Sequence, residues 1–303
     1  MNARRMQLDD GRWHFQHGPM DIVIGASGDP DAVRQAHENA WQRFAGILQE
    51  LVAELAALRQ PVRGSKCPVR GPVARRMWQA CQPFQGSFIT PMAAVAGAVA
   101  QELINSYALA GVERAWANNG GDISLHLAPS QSVRIGLYAD ISRLAVDEIR
   151  HGVQLDGQFE VLGTMPVRGV ATSGWRGRSF SLGIADSVTV LARTASEADA
   201  AATVIANAVN LDDPRIVRQP ACELKDDTDL GGMLVTVDVP PLEPALARQA
   251  LQAGLRRAEE LCAAGLIWSA ALVLQHQLVT TSDLPLKKLS VQPVKKQVGS
   301  VFA

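Results

Sequence analysis

Two helices predicted from this sequence carry almost no large side chains, and this feature constrains the fold most strongly. Thr90 followed by Pro91 is typical of a helix start, and the next residues, MAAVAGAVA, are nearly all small. A second predicted helix, over residues 196–210, is also rich in alanine. Helices of small residues allow another backbone or a flat ligand to approach closely. The pattern predicts tight packing of these helices on a sheet, with a flat ligand at the same surface as the alternative.

Strand-like segments occur in succession between the predicted helices. The predicted strands are residues 20–26, 114–118, 123–127, 133–139, 167–172, 179–182, 187–192 and 234–239, and further helices are predicted over 29–58 and 244–277. Runs of strands with segregated helices favour an α+β fold with mixed or antiparallel sheets over a strictly alternating parallel sheet. We expect a single domain over residues 1–279, followed by an extended Lys-rich tail over residues 280–303.

The charge balance offers no long-range attraction to a polyanion. The chain has 29 Lys and Arg residues against 30 Asp and Glu residues, so neither nucleic acid nor an anionic membrane is an expected partner. The sequence contains no apolar stretch long enough to span a bilayer and no visible signal peptide. Its four scattered cysteines are typical of reduced thiols. We expect a cytoplasmic protein, and a homodimer formed through apolar residues on several sides of the last predicted helix.

The stretch ATSGWRGRSFSLGIAD is the strongest candidate for ligand binding. Arg176 and Arg178 alternate with glycines, and Asp186 ends the run. Arginine binds carboxylate or phosphate groups through two parallel hydrogen bonds, and the hydroxyl groups of Thr172 and Ser173 add donors. The pattern therefore indicates a site for an anionic small molecule. A surface hairpin with exposed arginines is the alternative.

Two further motifs carry groups that bind ligands. The turn NNGGD combines paired glycines, which expose backbone N–H groups, with the side chain of Asp122. It is equally typical of a hairpin connection. In the helix over 196–210, Asp199 and Thr203 are four residues apart and therefore share a face. Carboxylate and hydroxyl oxygens are ligands that Mg²⁺ accepts, although Asp199 would also complete a capping box begun by Ser196.

The histidines of this sequence form no recognisable catalytic motif. The sequence contains no HExxH pair, and it also lacks the GxSxG, GxxxxGKS and helix-opening GxGxxG signatures. His17 lies at the mouth of the first predicted strand and is the candidate proton carrier. A structural role for this single histidine is the alternative.

Taken in order, the segments TPMAAVAG, NNGGDISL, ATSG, SVTVLA and SEADAAATVIA resemble the ApbE-like superfamily, whose namesake is an FAD:protein FMN transferase. The resemblance covers residues 20–209. It implies an ApbE-type α+β fold, related to the T-fold, with a cleft for a flavin nucleotide such as FAD or FMN and for Mg²⁺. The implied nucleotide-binding residues are Asn119, Gly120, Gly121, Asp122, Thr172 and Ser173, and the implied metal ligands are Asp199 and Thr203.

The sequence departs from the family pattern at three places. Thr90 occupies the position of the family's helix-start aspartate, and Ala96 occupies that of a lysine. The segment WRGRSFSLGIAD replaces a longer insert in which the transferases carry a catalytic histidine and aspartate. The short replacement contains two arginines and no histidine.

Three functions follow as hypotheses. In the first, the protein is an enzyme acting on a bound anion, with Arg176 and Arg178 holding the anion, Asp186 or Asp199 as acid, base or metal ligand, and His17 as proton carrier. In the second, it is an FMN transferase with a divergent active site. In the third, it is a flavin-binding or assembly protein without catalytic activity.

Overall fold

The computed structural model describes residues 2–137, 157–281 and 300–302. The strands in this described part are β1 (Arg4–Gln7), β2 (Trp13–His17), β3 (Met20–Gly28), β4 (Val112–Asn119), β5 (Asp122–Leu127), β6 (Ser132–Leu137), β7 (Gly157–Leu162), β8 (Gly169–Ser173), β9 (Ser187–Ala192), β10 (Val217–Pro220), β11 (Leu234–Asp238), β12 (Ser269–Leu274), β13 (Gln277–Thr280) and β14 (Ser300–Phe302). The helices are α1 (Pro30–Ala53), α2 (Leu55–Leu58), α3 (Pro72–Cys81), α4 (Val95–Ile104), α5 (Ala195–Ala208), α6 (Ala221–Leu224) and α7 (Pro244–Ala263), with 3-10 turns at Gln82–Phe84, Pro91–Ala94 and Asn105–Tyr107.

Nine strands form one antiparallel sheet around which the molecule is built. Its order is β1-β2-β3-β4-β5-β8-β9-β12-β13, and every neighbouring pair is antiparallel. Strands β10 and β11 form a separate hairpin, and β6 pairs with β7 and, in parallel, with β14. The predicted α+β class with antiparallel sheets in a single domain is confirmed.

The two faces of the nine-stranded sheet are buried by different layers. One face packs against the helices, and Ile22 and Val190 belong to that core. The other face packs against the three-stranded sheet, and Ile123, Leu125 and Phe159 belong to that second core. Because side chains alternate along a strand, the intervening residues of β5 face the helices. Those residues are Asp122, Ser124 and His126, so β5 places a polar row beneath helix α4.

Helices α4 and α5 approach each other closely, as their small residues predict. A Cβ atom added at Gly97 in α4 would lie 2.3 Å from the backbone oxygen of Ala195 and 2.9 Å from the Cβ of Asp199. No real Cβ contact is that short, so only glycine allows this approach. The sequence predicted tight packing of these helices on a sheet; the contact at Gly97 is between the two helices themselves.

The prediction of a helix over residues 244–277 was wrong for the second half of that range. Helix α7 ends at Ala263, and Gly265, with φ of +68°, lets the chain turn into strand β12. Leu272 is therefore buried in a sheet. The homodimer was predicted from apolar residues on several sides of this helix, and part of that segment is strand β12. The homodimer therefore stays a prediction, without the support of those residues.

Two local predictions were also wrong. Residues 179–182 form no strand, because they lie in the connection from β8 to β9. The N-cap of α5 is Thr194, whose hydroxyl accepts a hydrogen bond from the backbone N–H of Glu197 at 3.3 Å. Asp199 is therefore not part of a capping box begun by Ser196. Of the predicted tail, residues 282–299 lie outside the described residues, as do the last two residues of the strand predicted over 133–139.

None of the described helices combines the length and apolar character needed to cross a membrane. All four cysteines are free thiols.

Candidate functional site

Four hairpin connections lie together where the strands of the nine-stranded sheet end on one side. We call this row of strand ends the turn edge. The connections are residues 17–20, 119–122, 173–187 and 274–277. The register places them together, because Ile22 lies opposite Asn119, Ile123 opposite Val170, and Ser187 opposite Val273. The antiparallel order thus gathers the NNGGD and GWRGR motifs, which are far apart in sequence, at a single surface.

The Asn-Gly-Gly turn is held in place on both sides. The side-chain oxygen of Asn118 accepts a hydrogen bond from the backbone N–H of Gly121 at 2.8 Å, which closes the turn. The side-chain amide of Asn119 donates to the backbone oxygen of Ala96 at 3.1 Å. Gly120 has φ of +68° and Gly121 has φ of +111°, conformations that favour glycine. The turn is therefore fixed against the start of α4.

Arg178 lies directly over this turn. A Cβ atom at Gly120 would lie 3.4 Å from Nη1 of Arg178 and 3.7 Å from its Cζ, whereas a Cβ atom at Gly121 would meet no described atom within 4 Å. The exposed guanidinium therefore covers one glycine and leaves the surface of the next open. This contact joins the two motifs that the sequence identified separately.

Two carboxylates lie beneath the turn, Asp122 buried and Asp199 half-buried. Asp122 is 8% exposed and accepts a hydrogen bond from the backbone N–H of Thr172 at 3.2 Å. Asp199, on α5, accepts one from the backbone N–H of Gly97 at 2.9 Å. Burial raises the pKa of Asp122 to about 7. Burial, and then the charge of Asp122, raise the pKa of Asp199 well above its usual range. Each carboxylate therefore binds a proton or a cation more readily than an exposed one.

The other predicted binding residues surround this pair with less defined roles. Thr172 shares a hydrogen bond with Thr189 between their hydroxyl oxygens at 2.9 Å, so its hydroxyl is already engaged. Ser173 is half-buried at the end of β8. Thr203 is half-buried one helical turn after Asp199 and lies on the same face of α5.

A third carboxylate, Asp229, reaches the same region and was missed by the sequence analysis. It accepts a hydrogen bond from the hydroxyl of Thr90, which occupies the position of the family's helix-start aspartate. The buried thiol of Cys81 donates to the backbone oxygen of Thr90 at 3.3 Å. Burial raises the pKa of Cys81, and the charges of Asp199 and Asp229 add to the increase. No motif surrounds Asp229 in the sequence; only the fold brings it near.

The remaining residues of the GWRGR stretch hold their own loop. Asp186 accepts hydrogen bonds from the indole N–H of Trp175 at 3.2 Å and from the backbone N–H of Gln275 at 2.6 Å. Arg176 lies with Nε 3.4 Å from an Asp186 oxygen and with its Cζ 4.9 Å from the centre of the Trp175 ring. These contacts anchor the loop to the β12–β13 turn. They distinguish Arg176 and Asp186 from Arg178, which faces the turn.

The predicted proton carrier His17 and one further arginine, Arg168, lie apart from the carboxylate pair. His17 is 1% exposed at the end of β2, and its ring packs edge-on against Phe44 with centroids 6.2 Å apart. Arg168, which clusters with the two loop arginines in sequence, precedes β8 and therefore lies at the opposite edge of the sheet. It donates to the backbone oxygens of Gly163, Met165 and Val167 at 2.6–2.7 Å.

The donor set at the turn edge fits a divalent cation in part. Asp199 and Thr203 supply a carboxylate and a hydroxyl, and the raised pKa of Asp199 reflects a buried negative charge that a cation would offset. Among the described residues, no three His, Cys, Asp or Glu side chains form an arrangement that could hold a metal. Mg²⁺ is commonly bound by one or two carboxylates together with phosphates of a ligand. The residues present suit that kind of shared site.

Comparisons with known proteins show which family this chain matches and which proteins it is similar to. Residues 4–281 match the protein family described as AbpE bacteria. A UPF0280 protein of Methanopyrus kandleri is 39% identical over 169 residues, covering 54% of this chain and 62% of that protein. Another from Methanosarcina barkeri is 38% identical over 200 residues, covering 65% and 72%. The crystal structure of an ApbE protein from Thermotoga maritima has 14% identity and a TM-score of 0.44, covering 92% of this chain and 96% of that one.

Proposed function

This chain belongs to the AbpE bacteria family, and we propose that its turn edge binds an anionic small molecule, with a flavin nucleotide as the favoured ligand. The observation that carries the proposal is the position of Arg178 over Gly120, in the turn that leads into Asp122, whose charge acts on Asp199. A cation-binding group and an anion-binding group then lie on the two sides of one turn. A phosphate bound together with a divalent cation requires this combination.

Arg178 supports the anion half of the proposal. Its guanidinium offers several N–H donors in a planar array, which matches phosphate or carboxylate oxygens. Gly121, beside it, leaves room for a ligand, since a Cβ atom there would meet no described atom within 4 Å. A Cβ atom at Gly120 would be in van der Waals contact with the guanidinium. The guanidinium therefore lies against Gly120, and the space beside Gly121 stays open to a ligand.

The carboxylates support the cation half. Asp122 and Asp199 are close enough for the charge of one to raise the pKa of the other. Mg²⁺ bound by Asp199 and Thr203 would offset this repulsion and supply positive charge to a phosphate. The flavin nucleotides FMN and FAD carry phosphates of this kind, and the order of family motifs implies such a ligand.

Titration calorimetry with FMN and with FAD, each with and without Mg²⁺, tests the proposal. We expect binding that requires Mg²⁺, and we expect Arg178→Ala to weaken it about tenfold by removing a bidentate contact. Arg34→Ala is the matched control, because Arg34 is an exposed arginine on α1 whose side chain pairs only locally, with Asp31 at 2.7 Å. Binding that is equal in the two variants, or undetectable in the wild type, would refute the proposal.

A second candidate function is FMN transfer, and the environment of Asp122 favours it. With a pKa of about 7, this carboxyl group exchanges protons near neutral pH and could serve as the base that the shortened loop does not supply. In this transfer the hydroxyl of an acceptor threonine gives its proton to the base and bonds to the FMN phosphorus, while the pyrophosphate bond of FAD breaks and AMP leaves. Incubation with FAD, Mg²⁺ and a threonine-containing acceptor peptide should then release AMP and label the peptide with FMN, both measurable by chromatography, and Asp122→Asn should abolish both. Flavin binding without AMP would instead support the non-catalytic flavin-binding or assembly role.

We further propose a cytoplasmic location, supported by the four free cysteines.

A further inference from the structure

A cavity of about 320 Å³ lies at the edge of the nine-stranded sheet opposite the turn edge. We call it the rear pocket. Its floor includes Ser124 and His126 from the polar row of β5, and its walls include Gln101 of α4 together with Arg168 and Arg193. None of these residues belongs to the site described above. The rear pocket is therefore a separate feature of the same sheet.

The Ser124 hydroxyl is the first polar group that this cavity offers to a ligand. Ser124 is 1% exposed as a whole residue and its side chain makes no hydrogen bond to a described residue, but its oxygen is not among the fully buried atoms that lack a partner. The oxygen is therefore open to the cavity that the residue lines. Because Ser124 lines the cavity, a ligand seated there could complete its hydrogen bonding.

The two arginines give the cavity a positive charge. Arg168 is half-buried and hydrogen-bonds only to backbone oxygens, so no carboxylate in the described part of the chain neutralises it. Three of its five N–H groups are used in those bonds, which leaves two. Arg193 pairs only loosely with Glu197, at 3.6 Å, and that carboxylate offsets one of the two positive charges. One positive charge remains for a ligand to neutralise.

The neighbouring polar groups are arranged as further donors or acceptors. The side-chain oxygen of Gln101 accepts a hydrogen bond from the Ser196 hydroxyl at 2.8 Å, which fixes the amide and leaves its NH₂ group as a donor. Nε2 of His126 lies 3.3 Å from the backbone oxygen of Val112, so this nitrogen carries the proton and donates. The lining thus combines a net positive charge with a hydroxyl and an amide.

We propose that the rear pocket binds a small organic anion with a carboxylate or phosphate group, held by Arg168, Arg193 and Ser124. The volume lies at the lower end of the range for ligand cavities, which suits a compact metabolite better than a flavin nucleotide. The ligand is therefore a different molecule from the one assigned to the turn edge.

Calorimetric titration with two probes, inorganic phosphate and succinate, tests the rear pocket. The titrations are carried out in the Arg178→Ala background, so that the turn edge contributes little to either signal. We expect one probe to bind with a Kd below about 1 mM. We expect Arg193→Ala to weaken that binding about tenfold and Ser124→Ala to weaken it severalfold. The probe that binds identifies phosphate or carboxylate as the recognised group.

The controls separate a binding defect from a folding defect. Arg168 is left unchanged because its bonds to three backbone oxygens support the loop before β8. Arg34→Ala should leave the affinity unchanged, and the melting temperature of each variant should stay within a few degrees of the parent. Failure of both probes to bind at about 10 mM, or equal affinity in Arg193→Ala, Ser124→Ala and Arg34→Ala, would overturn the proposal. Neither result depends on whether the turn edge binds flavin.

Discussion

The two edges of the nine-stranded sheet differ in charge beneath the same helix. At the turn edge, the first residues of α4 meet the carboxylate of Asp199 through the N–H of Gly97. At the rear pocket, the end of α4 lies near Arg168 and Arg193. Helix dipoles favour anions at the N-terminus and cations at the C-terminus. The comparison teaches that α4 supports both charge clusters, so a charge cluster alone does not establish a ligand. Each edge is distinguished by a further feature: Arg178 against Gly120 at the turn edge, and a cavity lined by Ser124 at the rear pocket.

The largest effect is expected from a change that lifts α4 away from α5. In Gly97→Ala, the new Cβ would lie 2.3 Å from the backbone oxygen of Ala195, so the helices must separate. We expect a loss of about 2–3 kcal/mol in the free energy of unfolding, measured by urea denaturation. Gly86→Ala is the control, since its Cβ would meet no described atom within 4 Å. Equal stability of the two variants would show that the helices are not in tight contact at the turn edge.

The second prediction concerns the negative charge of Asp122 at the turn edge, which a change of pH adds or removes. Burial raises the pKa of Asp122 to about 7 from an unfolded value of 3.8. Between these values the folded protein holds a proton that the unfolded chain releases, so the stabilisation is complete below about pH 4 and is lost as the pH rises to about 7. Asp122→Asn should therefore gain stability relative to the wild type as the pH rises, by about 2–3 kcal/mol between pH 5 and pH 8.

Melting temperatures from pH 5 to pH 8, measured in EDTA to keep cations out of the site, check this expectation. The exposed Asp31→Asn is the matched control, because its side chain is 84% exposed. A constant difference between Asp122→Asn and the wild type across the series would contradict it.

The smallest effect is expected within the GWRGR loop. Arg176→Ala removes a 3.4 Å ion pair to Asp186 and a cation–π contact with Trp175, which should lower the free energy of unfolding by about 1 kcal/mol. Nucleotide affinity should change less than about threefold, because Arg178 remains. Arg178→Ala should show the reverse pattern. If Arg176→Ala weakens binding as strongly as Arg178→Ala, both arginines contact the ligand.

The sequence predicted the architecture well where local pattern and packing agree. The Ala-rich helices and the strands around NNGGD have strong periodicity, and the five ordered motifs identified the family. Strand β1 was missed because its residues, such as Arg4 and Gln7, are polar and exposed, and β-sheet pairing rather than composition makes it a strand. Strand β2 was missed although its Phe15 and His17 are buried. The alanine- and leucine-rich sequence near residue 270 fits a helix equally well until it pairs with β9.

The site was predictable only where a residue's neighbours in sequence are also its neighbours in space. Asn119, Gly120 and Asp122 belong to one turn, and the structure places that turn beside Asp199. The difference between Arg176 and Arg178 depends on Trp175 and Gln275, which no spacing rule indicates. Asp229 could not have been found because only the fold brings it to Thr90. Ser124 could not have been found because the cavity that it lines exists only in the folded chain.

The assembly of the turn edge from four hairpins has a consequence for synthesis of the chain. Its connections span residues 17 to 277, and Asp186 bonds to the backbone of Gln275 in the last of them. The ribosome must therefore release the chain through residue 277 before the loop that carries Arg178 can reach its final position. A nascent chain lacking β12 cannot complete the turn edge, so binding of the proposed ligand would report that this part of the fold is complete. Such long-range pairing also predicts slow folding for a protein of this size.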